Sequence, residues 1–161
     1  MSPSALPNLY HRAPFLLKDL TVDIRVWSGD RDDLVSFLHL TPSLEVLRIQ
    51  LWGFNPFYFD PFTYLPDNPP PIVLRKLHYL AFHVDCIVDP MDLVLHCCPL
   101  AAEMAESFEE YPGELNDAFP SLADVAFFLA GKPFYQEIED RLVEASESGG
   151  VFSYTRSVYQ T

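Results

Sequence analysis

The chain has 161 residues, of which 10 are basic and 23 acidic, giving a formal charge of −13. A globular chain of this length buries roughly 70% of the surface its unfolded form exposes, so a core is feasible without disulfides or metals. The strong negative charge repels phosphate backbones and anionic lipid headgroups, so neither nucleic acid nor membrane is an expected partner. No stretch approaches the ~20 consecutive apolar residues of a membrane-spanning helix. The opening run MSPSALPNLYHRAPFLLKDL lacks a basic segment followed by a continuous apolar one, so it does not read as a secretory signal. Three cysteines, Cys86, Cys97 and Cys98, are odd in number with two adjacent, which suits reduced thiols better than a secreted disulfide framework. There is no Asn-x-Ser/Thr acceptor, and the expected location is cytoplasmic or nuclear.

In chain order, residues 1–14 read as irregular. LTVDIRV then alternates, with Leu20, Val22, Ile24 and Val26 on one face and Thr21, Asp23 and Arg25 on the other, the pattern of a half-buried strand. After Ser28-Gly29-Asp30, the i, i+3, i+4 spacing of Leu34, Phe37 and Leu38 predicts a short helix ending before Pro42. A second strand is expected in LEVLRIQLW, with Leu47, Ile49 and Leu51 inward and Arg48, Gln50 and Trp52 outward. Residues 53–71 form a Pro- and aromatic-rich loop, because its prolines remove backbone donors and restrict their neighbours. Its aromatics, Phe54, Phe57, Tyr58, Phe59, Phe62 and Tyr64, are expected to plug an open side of the core rather than to anchor an interface.

The third strand, LHYLAFHVD, turns Leu80, Phe82 and Val84 inward and Ala81, His83 and Asp85 outward. A helix is predicted next, with Asp89 as cap, Pro90 in the first turn, a stripe of Met91, Val94, Leu95 and Cys98, and Pro99 as its stop. Residues 100–118 read as an acidic insertion, with a helix along Leu100, Met104 and Phe108 and with Glu103, Glu106, Glu109 and Glu110 in solvent. LADVAFFLA is apolar on both faces, as a strand covered from two sides would be. Phe134, Ile138, Leu142 and Ala145 mark a last amphipathic helix closed by Gly149-Gly150, and VFSYTRSVY can add an edge strand.

Four strands share the frame apolar-x-x-apolar-x-apolar: Leu17/Leu20/Val22, Leu44/Leu47/Ile49, Leu77/Leu80/Phe82 and Leu122/Val125/Phe127. Their spacing lengthens along the chain, starting near the ~20 to 29 residues of leucine-rich repeats and ending well beyond it. Strands alternating with helices call for right-handed crossovers and parallel pairing. The expected fold is therefore α/β: a single domain over 1–161, an irregular leucine-rich-repeat-like solenoid with a mostly parallel sheet of four to five strands and helices on the convex side.

The phrases HLTPSLEVLRIQLW, LRKLHYLAFHVD and FPSLADVAFF resemble the degenerate leucine-rich repeats of fungal F-box-type proteins, a likeness of texture that covers most of residues 15–158. In that family an N-terminal F-box docks onto a Skp-type adaptor of a cullin ubiquitin ligase, and the repeats recruit the substrate. No helical segment of the LPxE-L-xx-IF kind precedes the first strand here, so a Skp-type adaptor is implied only if an F-box is present elsewhere. RLVEASESGGVFSYTRSVYQ is similar to the closing helix and strand of such proteins. The resemblance thus implies a C-terminal portion, a shortened gene product or a stand-alone relative.

No catalytic centre is expected. His83, Cys86, His96, Cys97 and Cys98 supply soft ligands, but their spacing fits no zinc finger or ribbon. Asp30, Asp32 and Asp33 lack the glycine and distal glutamate of a calcium loop and are better read as helix-capping charges. The six scattered glycines form no phosphate-binding loop, and no G-x-S-x-G elbow occurs. No cofactor is expected. The functional expectation is a non-catalytic protein-interaction module, whose partner-binding surface is formed by Thr21, Asp23, Arg25, Arg48, Gln50, Trp52, His83 and Asp85 projecting from neighbouring strands. A truncated remnant without a partner is the second reading, and a small hydrolase a remote third.

Overall fold

Each strand predicted by alternation pairs with the next one in sequence. In this computed structural model, residues 17–23, 31–51, 59–67, 69–85, 98–130 and 136–157 are described. The strands are β1 (Asp19–Asp23), β2 (Val46–Leu51), β3 (Tyr79–Asp85), β4 (Asp124–Ala130) and β5 (Phe152–Ser157), in one sheet of order β1-β2-β3-β4-β5. Every pairing is parallel. Parallel neighbours need a crossover between them, and described helices occupy three of the four: α1 (Arg31–His39) between β1 and β2, α2 (Cys98–Glu110) and α3 (Pro112–Ala118) between β3 and β4, and α4 (Gln136–Glu147) between β4 and β5.

The sequence frame corresponds to a backbone staircase. The carbonyl of Lys18 accepts the amides of Glu45 and Val46 at 2.8 and 2.9 Å, that of Glu45 accepts His78 and Tyr79, and that of His78 accepts Ala123 and Asp124. These carbonyls belong to the residues that follow Leu17, Leu44 and Leu77, the first position of the frame, so each unit enters the sheet one step beside the last. The Thr-Pro-Ser-Leu and Phe-Pro-Ser-Leu phrases make the same turn ahead of it, with Leu44 N–H bonded to Thr41 and Leu122 N–H to Phe119.

The register aligns Leu20, Leu47, Leu80, Val125 and Phe152 in one row and Val22, Ile49, Phe82, Phe127 and Tyr154 in the next. These rows face the helices: Leu34 and Leu38 of α1, Met104 of α2 and Leu142 of α4 join Leu47, Leu80 and Phe82 in one buried cluster. Since strand side chains alternate in direction, the intervening residues form the opposite, outer face.

Two expectations change. Pro99 does not stop a helix but lies in the first turn of α2, where its missing N–H has no partner to lose. The apolar period continues past it through Ala101, Met104, Ala105 and Phe108, all buried, so residues 100–118 supply core. The carboxylates divide: Glu103, Glu109 and Glu110 are exposed as expected, whereas Glu106 receives Nε and Nη2 of Arg141 at 2.7 and 2.9 Å, tying α2 to α4. The preceding predicted helix, residues 89–97, lies outside the described residues.

The proline-rich loop places Phe59 and Phe62 in the core without any solvent exposure. Their rings lie 4.8 and 5.7 Å from that of Phe82, and Phe62 also meets Phe119 at 5.9 Å. Asp60–Phe62 makes a single 3-10 turn. Phe54, Phe57 and Tyr58 lie outside the described residues. At the other end, α4 gives way to Gly149 at φ +83°, a left-handed conformation that closes helices and that glycine adopts without strain.

Candidate recognition surface

The outer face is organised in cross-strand rows. Asp23, Gln50, His83, Phe128 and Thr155 are successive register partners, as are Thr21, Arg48, Ala81, Ala126 and Ser153. Neighbouring strands lie ~4.8 Å apart, so each row spans roughly 19 Å. Of the expected contact residues, Thr21, Asp23, Arg48, Gln50 and His83 are brought together here. Thr21 is exposed and the other four are half-buried. Asp85 closes β3 as the register partner of Ala130. Arg25 and Trp52 lie outside the described residues.

The structure adds Asp19, Tyr79 and Phe128. Arg48 Nη1 donates to Asp19 Oδ1 at 2.7 Å, and its guanidinium carbon lies 5.7 Å from the Tyr79 ring centroid. The ion pair is well exposed, with side-chain exposures of 38% and 59%. Such pairs contribute at most about 1 kcal/mol, so its main effect is to aim the guanidinium across the strands. His83 lies parallel to Phe128, with ring centroids 4.6 Å apart and planes 12° from each other, a flat stack of ~0.5–1.5 kcal/mol. Alternation within β3 and β4 was the signal available for these residues: Tyr79 shares parity with His83, and Phe128 with Asp124. It was obscured in β4 because both faces of that strand are apolar. Ala81 was expected outward and does lie in an outer row, yet it has no exposure, and Ala126 has 5%. The two are register partners of each other, and the larger Tyr79, His83 and Phe128 stand on the same face in the adjacent rows.

Desolvation by partial burial, and then the positive charge of Arg48, lowers the pKa of His83 below its ordinary 6.5. The unfolded chain therefore takes up a proton at His83 before the folded chain does. Stability should fall as pH drops from 6.5 towards the folded-state pKa, with no further loss from this residue below it. Two-dimensional NMR titration should put the His83 midpoint below that of a free histidine. Arg48→Gln should raise this midpoint, and an unchanged midpoint would remove Arg48 from the explanation.

Among the described residues, no group of three or more His, Cys, Asp or Glu side chains could hold a metal ion. Cys86, His96 and Cys97 lie outside them. Asp32 and Asp33 occupy the first turn of α1, where negative charge complements the helix dipole; Asp30 is not described. No helix among the described residues is long and apolar enough to cross a membrane.

Fold and surface together define an α/β protein with one all-parallel sheet in sequential strand order, helices on its inner face and a polar-aromatic outer face. No family model matches the chain, and no curated protein or solved structure shows a significant match to it.

Proposed function

We propose that the chain is a non-catalytic protein-interaction module, a leucine-rich-repeat-like solenoid whose outer sheet face recruits a protein partner. The observation that carries this reading is the ladder itself. Five in-register parallel strands set Arg48, Gln50, Tyr79, His83 and Phe128 side by side on one face, while the helices pack on the other. Repeat units that bury their apolar sides only against one another leave an extended sheet wall for binding. The wall combines a fixed guanidinium, three flat rings and an adaptable amide, and Arg and Tyr are residue types enriched among interface hot spots. The resemblance of the repeats to those of fungal F-box-type proteins is what supports a place as the substrate-recognition part of an F-box-type ubiquitin ligase receptor. A Skp-type adaptor is then a partner only through an F-box supplied elsewhere.

Affinity capture with quantitative mass spectrometry tests the reading. The double variant Arg48→Glu/His83→Ala should lose at least roughly tenfold of a specific partner, since one hot-spot truncation costs about 2 kcal/mol or more. Lys76→Ala, at an exposed turn position, should retain the partner. Identical captured sets from all three proteins, each with the same melting curve, would refute the surface. Recovery of a Skp-type adaptor with the partner would extend the reading to the ligase receptor.

A further inference from the structure

On the helical side, away from the outer face, an apolar groove of about 230 Å³ runs between α2, α3 and the segments that lead into β4 and β5. Phe108, Leu115, Phe119, Leu122 and Val151 line it. The floor is firm, because Phe119 is 2% exposed and packs on Phe62 of the core. Small-molecule and cofactor sites generally occupy ~300–1,000 Å³. This volume falls below that range and suits one large apolar side chain entering from outside.

The charge around the groove indicates what carries that side chain. Pro112, which follows the end of α2 and opens α3, and Gly150, which follows the end of α4, both line it, so two helix C-termini and the start of the short helix α3 meet there. The two C-termini carry the negative ends of helix dipoles, and the positive end of α3 is offset by Glu114 in its own first turn. Neither α2 nor α4 has a basic residue in its last turn. Instead Glu109 and Glu110 end α2, and Glu144 and Glu147 end α4, all exposed. Between them, Glu114 and Asp117 of α3 flank the lining residues in sequence. None of these six carboxylates makes an ion pair among the described residues. Carboxylates at helix C-termini are unfavourable by themselves, and a cationic partner would relieve that repulsion.

We propose that this groove docks a Lys/Arg-rich peptide segment of a protein partner, with one aromatic or leucine side chain inserted as anchor. The full chain would be tested against an array of short peptides. Their central residue is Trp, Phe, Leu or Ala, and their flanks are Lys/Arg, Gly/Ser or Asp/Glu; the strongest binder is then titrated by fluorescence anisotropy. The expected binder has cationic flanks and a large apolar centre. Its alanine-centred counterpart, the groove-filling variant Asn116→Trp and the charge-reversal variant Glu110→Lys/Glu114→Lys, at positions within two residues of lining ones in sequence, should each weaken binding about tenfold or more, with melting temperatures unchanged. Asn116 is an exposed lining residue, so its replacement blocks the groove without disturbing the core. Three results would overturn the proposal: no binder, equal binding by alanine-centred and aromatic-centred cationic peptides, or titration curves untouched by Asn116→Trp. The second and third would reduce the interaction to diffuse attraction by an acidic chain. Arg48→Glu/His83→Ala should leave peptide binding intact, which separates this groove from the outer face.

Discussion

Replacing Phe82 with alanine should destabilise the protein by about 3–5 kcal/mol, the range for truncating a fully buried aromatic. Phe82 has no exposure and lies at the centre of the sheet, in the row that joins Ile49 to Phe127. Phe59 and Phe62 reach it from the proline-rich loop at 4.8 and 5.7 Å. Because the loop is held by rings rather than by a regular hydrogen-bond ladder, the cavity loosens loop and sheet together. At ~2–4 °C per kcal/mol for a chain of this size, the melting temperature should fall by roughly 10 °C. Phe82→Leu keeps most of the volume and should cost about 1 kcal/mol. A Phe82→Ala loss below about 1 kcal/mol by denaturant titration would mean that the loop aromatics do not close the core.

The second large effect lies at the sheet's far edge. Arg156 of β5 shares its inward row with Leu129 and donates through Nη1 to both carboxylate oxygens of Glu139 in α4, at 3.0 and 2.8 Å. Side-chain exposures are only 22% and 16%, and Arg156 Nε is buried without a hydrogen-bond partner. Breaking a buried pair from one side leaves an uncompensated charge and costs about 3–5 kcal/mol; the remaining exposure here reduces that to about 2–3. Glu139→Ala should therefore lower the melting temperature by roughly 5–10 °C and speed amide exchange in β5. The double replacement Glu139→Leu/Arg156→Met should recover most of the loss, because no charge is then stranded. If the double variant were as unstable as the single one, packing rather than charge would explain the defect.

The inward half of each strand was legible because alternation over a half-buried strand has one physical cause, burial of one face. Leu47, Ile49, Leu80, Phe82 and Val125 are all buried as that pattern requires. The repeated frame was legible for a second reason: Leu44 and Leu77 fix the turn whose carbonyl neighbour receives the next unit. Proline was the ambiguous signal. Pro99 can end one helix or open another, and the continuing period of Met104, Ala105 and Phe108 decides it. On the outer face, residue type indicated polarity but not partnership. Nothing in the spacing of Asp19 and Arg48, or of His83 and Phe128, shows that register makes them neighbours, since each contact exists only after the crossover between its two strands has closed. Exposure was equally hidden at Ala81, where the strand's parity points outward but Tyr79 and His83, two residues away on the same face of β3, flank a single methyl group. The expected contacts Arg25 and Trp52, which lie outside the described residues, were read from alternation alone.

Hydroxyl-radical footprinting of the chain, with and without the partner recovered by capture, tests the recognition surface most directly. Tyr79, His83 and Phe128 are oxidisable side chains on the outer face, and Phe108 and Tyr111 lie on the helical side. Partner binding should suppress oxidation of the first three and leave the latter two unchanged. Protection confined to Phe108 and Tyr111, with Tyr79, His83 and Phe128 still reacting at their free rates, would contradict the account.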